Sequence, residues 1–233
     1  MTRPLHDWLV AFESCVRDRR PAEIVVLLSS LVVAWWLYVP VHELAHAWGC
    51  LSTGGAVTRL EISRIYGAGL LARIFPYVTV GSEYAGRLSG FDTRGSDLTH
   101  LATCAAPFVL TILVGVPLLR AVPLLSGWRR GLALGVALPM AYAPFVSIPG
   151  DYYEMGSILV SRLVTVFVPH FPTARWRSDD VFRLVGSLTP DANVSDVAGL
   201  AASLLVGVVL ALMTYWAGVA ISAAAKRSNA PVS

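Results

Sequence analysis

Four stretches of the chain run without a single Asp, Glu, Lys or Arg: residues 24–41, 101–119, 131–150 and 197–225. The hydrocarbon core of a bilayer takes about 20 such residues as helix, so each stretch is read as a membrane span. A fifth, 152–169, is nearly as apolar but is interrupted by Glu154 and Arg162. The pattern predicts an all-α polytopic membrane protein with about five transmembrane helices, near 22–50, 98–120, 129–149, 151–170 and 196–225. After the first span the period changes. Val57, Leu60 and Ile62 stand among Thr58, Arg59, Glu61 and Ser63, and a second β-prone run covers 74–80. This spacing predicts a small β-strand or hairpin insertion over 56–84. The Gly, Ser and Asp residues of 86–97 read as a loop, with Ser96 capping the second span.

Two smaller elements complete the expected organisation. Leu5, Trp8, Leu9, Phe12 and Val16 recur at helical spacing ahead of Arg17, Arg19 and Arg20, which predicts an amphipathic interfacial helix over 1–20. The apolar segment that follows has no small-x-small cleavage pattern, so this stretch is read as retained. Residues 21–228 then form one transmembrane domain, its first helix opening at Pro21. Residues 178–188 predict a short surface helix capped by Ser178, with Asp179 and Asp180 in its first turn. Positive-inside counting sets no orientation, because Arg3, Arg17, Arg19 and Arg20 are opposed by Arg59, Arg64, Arg73, Arg87 and Arg94 beyond the first span.

Composition agrees with the pattern: 55% of the residues are hydrophobic and 14% charged, against about 25% charged in soluble domains. The localisation expected is a cell membrane, as a multi-pass protein with the bilayer as its solvent. A net charge of +3 offers no broad electropositive surface, so no nucleic-acid partner is expected. Cys15, Cys50 and Cys104 are odd in number and lack CxxC spacing. They read as small apolar fillers.

The chemistry concentrates at the end of the first span, in His42-Glu43-Leu44-Ala45-His46. Two histidines four residues apart share one helix face, where one metal ion can reach both rings, and the adjacent glutamate is placed to act on water beside it. Ionisable groups within a span are costly and mark function by default. The plainer reading is a buried His-Glu-His hydrogen-bond network. A catalytic zinc ion takes three protein ligands and keeps a fourth position open, so one ligand must come from elsewhere. Asp151 is the leading choice, because Pro149 and Gly150 break the helix there and can turn a carboxylate inward. Glu154 is the reserve, and the plain alternative for both acids is capping of the fourth span. His100 and His170 read as interfacial histidines, Trp35, Trp36 and Tyr38 as packing or an aromatic belt, and Arg162 as needing a partner such as Glu154 or Asp151.

These residues resemble the site-2 protease family of intramembrane zinc metalloproteases. The resemblance rests on His42-Glu43-Leu44-Ala45-His46 in the first span, Gly54-Gly55-Ala56-Val57 just after it, Ala105-Ala106-Pro107 in the second span and Pro149-Gly150-Asp151 downstream, and it covers about residues 24–165. It implies one Zn2+ per chain held by His42, His46 and Asp151, with Glu43 as catalytic residue. It also implies a membrane-anchored protein substrate held in extended form by the segment 56–80, with Gly54, Gly55 and Val57 as substrate-binding residues. The family commonly carries Asn in the second-span motif and ahead of an Asp-Gly pair. Here Leu110 and Thr111 occupy the first neighbourhood and Tyr152 follows Asp151, the pattern of a divergent member. Two other readings stand beside proteolysis. One is a non-proteolytic zinc-binding scaffold for partner helices. The other is metal transport, for which the second and fifth spans offer no interior Asp, Glu or His.

Overall fold

A computed structural model of the chain describes residues 2–17, 20–187 and 193–228. In chain order come α1 (Thr2–Val16), α2 (Pro21–Ser52), β1 (Ala56–Ile62), α3 (Ala68–Ile74), β2 (Val78–Val80), β3 (Gly86–Asp92), α4 (Asp97–Ala105), α5 (Val116–Ala121), α6 (Trp128–Val146), α7 (Tyr153–Phe167), α8 (Val181–Ser187) and α9 (Val194–Ser228). Among the described residues, four helical paths are long and apolar enough to cross a membrane: Pro21–Ser52, Asp97–Leu124, Trp128–Phe167 and Val194–Ala225. They suggest a membrane protein, and they number four where the sequence predicts about five.

The difference lies at Pro149-Gly150. The spans expected at 129–149 and 151–170 join into one path of 40 residues, because the break is taken up by a π-helical turn, Ile148–Tyr152. Pro149 removes a helical N–H, and Gly150 leaves helical geometry at φ −106° and ψ −108°. The chain nevertheless continues in one direction: Tyr142 lies beside Tyr215, the Tyr152 hydroxyl donates to Thr214 at 2.8 Å, and Gly156 abuts Ser203. Thus α9 runs antiparallel along both halves. At Gly156 a Cβ would fall 2.1 Å from the Ser203 carbonyl oxygen, so only glycine lets these two backbones approach so closely. The second path changes helical type as well, through a 3-10 turn at Ala106–Phe108 and a π-turn at Thr111–Gly115. Its N-terminus is capped as expected, with the Ser96 hydroxyl accepting from the Thr99 N–H at 3.2 Å.

Burial on α1 is the reverse of that on a soluble amphipathic helix. Its buried residues are Pro4, Asp7, Ala11, Ser14 and Cys15, whereas Leu5, Leu9 and Phe12 are exposed. The buried side docks on the bundle through polar contacts. Asp7 accepts from the Tyr215 hydroxyl at 3.1 Å and pairs with Arg3 and Arg120 at 3.1 and 3.6 Å. The Tyr142 hydroxyl donates to the Pro4 carbonyl at 2.6 Å. An apolar face turned away from the protein suits a lipid interface.

The insertion is a three-stranded sheet in the order β2-β1-β3. β1 pairs parallel with β2, Leu60 opposite Val78, and antiparallel with β3, Ala56 opposite Asp92 and Ile62 opposite Gly86. Two parts of the sequence expectation change here. Most of the β-prone run 74–80 is not strand: Ile74 closes helix α3, which leads into β2, so that strand pairs parallel and makes no hairpin. The expected loop at 86–97 contains a full strand, since Gly86–Asp92 gains its order from pairing with β1 and not from its own propensity. Leu60, Ile62, Ala68 and Val78 bury together against Ala47 of α2, which fixes the sheet to the half of α2 that carries the histidines. Further along, α8 starts later than predicted. Its cap is the Asp180 carboxylate, which accepts from the Phe182 N–H at 2.7 Å, while Ser178 turns back onto Asp180. Leu188 lies outside the described residues.

Candidate metal centre

Helical spacing puts His42 and His46 on the face of α2 that looks toward α4 and the Ile148–Tyr152 turn. Their Nε2 atoms are 3.2 Å apart. Asp151, carried inward by the π-turn, brings Oδ2 to 3.6 Å from His42 Nε2 and Oδ1 to 3.5 Å from His46 Nε2. All three donors therefore lie within 4.8 Å of one another. A tetrahedral ion with bonds of about 2.1 Å sets its ligands about 3.4 Å apart, so these separations suit a divalent cation without rearrangement.

Hydrogen bonds behind the rings fix which nitrogen faces the centre. His46 Nδ1 donates to the Thr103 carbonyl at 2.8 Å. A carbonyl only accepts, so the ring proton sits on Nδ1 and the Nε2 lone pair points inward. His42 Nδ1 lies 2.9 Å from the Tyr38 hydroxyl, and Phe108 holds the same ring edge-on at 5.6 Å. With His42 in the matching tautomer, two lone pairs and a carboxylate converge on one point, an arrangement that a cation relieves.

Glu43 stands beside this centre against the start of β3. A Cβ on Gly86 would fall 2.3 Å from Glu43 Cγ and 2.7 Å from Cδ, so Gly86 leaves the space that the carboxylate occupies. His42, Glu43, His46, Asp151 and Glu154 all line one cavity of about 560 Å³, whose other walls include residues 84–89 and Phe91. Across its wall Arg87 of β3 donates to Asp179 at 2.8 Å.

The other expected residues fall as follows. Gly54 turns the chain after α2 at φ +91°, the Gly55 N–H donates to the Cys50 carbonyl at 2.9 Å, and Val57 pairs with Phe91. None of the three lines the cavity, because β1 is the middle strand and β3 stands between it and that space. Glu154 is not drawn to His42 and His46. It accepts from His100 Nε2 at 2.7 Å and from the Cys104 thiol at 3.3 Å, so His100 is more than an interfacial histidine and Cys104 more than an apolar filler. Arg162 pairs with neither Asp151 nor Glu154 but donates to Asp97 at 2.8 Å, and His170 is exposed in a turn at φ +70°.

Three contributors escape a sequence reading. Tyr38 is visible as the residue four before His42, yet its two tryptophan neighbours argue for packing. Gly86 hides in an apparent loop. Thr103 acts through its carbonyl, which any residue would provide. Comparison with known proteins finds no matching family model, no matching curated protein and no matching solved structure.

Proposed function

We propose that the chain is an intramembrane zinc metalloprotease that hydrolyses a peptide bond in or near the membrane segment of a membrane-anchored protein, in the manner of the site-2 proteases it resembles. The observation that carries this reading is the donor geometry: two imidazole nitrogens and a carboxylate, 3.2–3.6 Å apart, beside a glutamate that belongs to the same H-E-x-x-H turn. His42, His46 and Asp151 are the residues that would hold the ion, and three protein ligands with an open cavity is the pattern of a catalytic site. A zinc ion held there supplies Lewis acidity and brings the pKa of its water to about 7.

The remaining work falls to the chain. Glu43 takes the proton from the attacking water and returns it to the departing amine. The Thr103 carbonyl holds His46 in the tautomer that ligation needs, and Tyr38 orients the His42 ring. The polar groups on the cavity wall, His42, Glu43, His46, Asp151 and Glu154, suit it to hold the water that hydrolysis requires. Substrate reaches the centre in extended form along β3, the edge strand that lines the cavity, by adding a strand to it; this moves the expected binding segment from Gly54, Gly55 and Val57 to residues 86–91.

Glu43→Gln tests the assignment. Co-expressed with a membrane-anchored substrate that the wild type cuts, the variant is expected to lose cleavage by about 100-fold or more while keeping its metal content. Cleavage at the wild-type rate by Glu43→Gln overturns the mechanism.

A further inference from the structure

Beside the first centre lies a second convergence of ligating groups that the proteolytic reading leaves unused. His100 and Cys104 are one helical turn apart on α4, repeating the spacing of His42 and His46. Glu154, in the first turn of α7, reaches both, and the three donor atoms lie within 4.8 Å of one another. Cys104 is 3% exposed and lines the shared cavity together with Glu154. Phe91 of β3 rests edge-on against the His100 ring at 5.4 Å and limits its rotation.

We propose that His100, Cys104 and Glu154 form a second metal site, selective for a borderline-soft divalent cation of the zinc class. The argument is chemical. Imidazole and thiolate select such ions over magnesium or calcium, which prefer all-oxygen sites. Thiolate and carboxylate together carry two negative charges, so a divalent ion makes the set neutral with the imidazole uncharged, the least costly state for groups inside a membrane-spanning bundle. On binding, the Cys104 S–H bond breaks, its electron pair becomes the bond to the metal and its proton leaves through the cavity. His100 Nε2 and Glu154 Oε1 stand 2.7 Å apart, closer than the ~3.4 Å that separates ligands on a tetrahedral ion of this class, so Glu154 must draw back from His100 for the ion to enter. Loaded, the site staples α4 to α7. Thr103, whose carbonyl orients His46, sits next to Cys104 on the stapled helix, so occupancy of the second site steadies the first.

Cobalt reads this site separately from the other, because the first centre contains no sulfur. The full chain, purified in detergent, stripped by chelation and reloaded with Co2+, is expected to bind about two ions per chain and to show a near-ultraviolet thiolate-to-cobalt charge-transfer band. His42→Ala with His46→Ala should halve the stoichiometry and keep the band. Cys104→Ser should abolish the band and keep one ion. Glu154→Gln, which keeps the side-chain shape, should weaken cobalt binding at the band by about 10-fold or more. A wild type that binds one cobalt with no thiolate band overturns the proposal, as does a band that survives Cys104→Ser. Loss of cleavage in Glu43→Gln bears on the first centre alone, so either reading can fail without the other.

Discussion

Gly86→Ala separates Glu43 from the proposed metal ligands more cleanly than any change to the ligands themselves. The added Cβ would stand 2.3 Å from Glu43 Cγ, and ordinary contact begins near 3.4 Å, so that carbon must retreat by about 1 Å. Two responses compete. Rotating the glutamate off its rotamer costs about 0.5–1.5 kcal/mol; shifting β3 against β1 is overpacking, at about 1–3 kcal/mol. The first is cheaper, and it swings the carboxylate away from the centre. The expected outcome is a loss of about 1 kcal/mol in stability, a fall of about 100-fold in cleavage, and unchanged metal content, since His42, His46 and Asp151 are untouched. Gly218→Ala, away from the cavity, is the control. Its Cβ would stand 2.7 Å from Val116 Cβ, so it should cost about 1–3 kcal/mol and leave the cleavage rate per folded molecule within a few fold. The assays are cleavage of a membrane-anchored reporter, thermal unfolding in detergent and metal analysis. Full activity in Gly86→Ala, or loss of metal together with activity, refutes the placement of Glu43.

Tyr38→Phe removes the hydroxyl behind His42 and should weaken metal affinity at the first centre by about 10-fold, read by competition with a chelator; unchanged affinity would show that the ring is held by Phe108 alone. Asp7→Ala leaves Arg120 without its carboxylate partner in a buried setting and should cost about 3–5 kcal/mol, releasing α1 from the bundle. Limited proteolysis should then cut between α1 and α2 in the variant well before the wild type, and equal rates of cutting would mean that α1 is held without Asp7.

What could be read from the sequence was whatever a single helix or a single break encodes. His42, Glu43 and His46 are legible because helical spacing places them without any tertiary knowledge. Asp151 is legible because Pro149 and Gly150 announce a break, yet the same pair conceals that the chain runs on through a π-turn, which turns an expected five spans into four. β3 was unreadable because Gly86, Arg87, Ser89, Gly90 and Asp92 have poor strand propensity and are ordered by pairing with β1. The His100 and Cys104 spacing is visible along α4, but its meaning depends on Glu154, 50 residues downstream of Cys104, and no local pattern connects them.

The π-turn at Ile148–Tyr152 has a consequence for when the donor set is complete. Helix α6 leans on α2, whereas α7 leans on α9, so the oxygen donor of the centre belongs to the seam between two helix pairs and both nitrogens belong to the first pair alone. The turn that carries the acid packs most broadly on α9, so a chain in which α9 is not yet docked has both imidazoles on α2 and a less firmly braced Asp151. Completing the donor set is therefore a property of the finished bundle, in which α9 braces the turn that carries the acid.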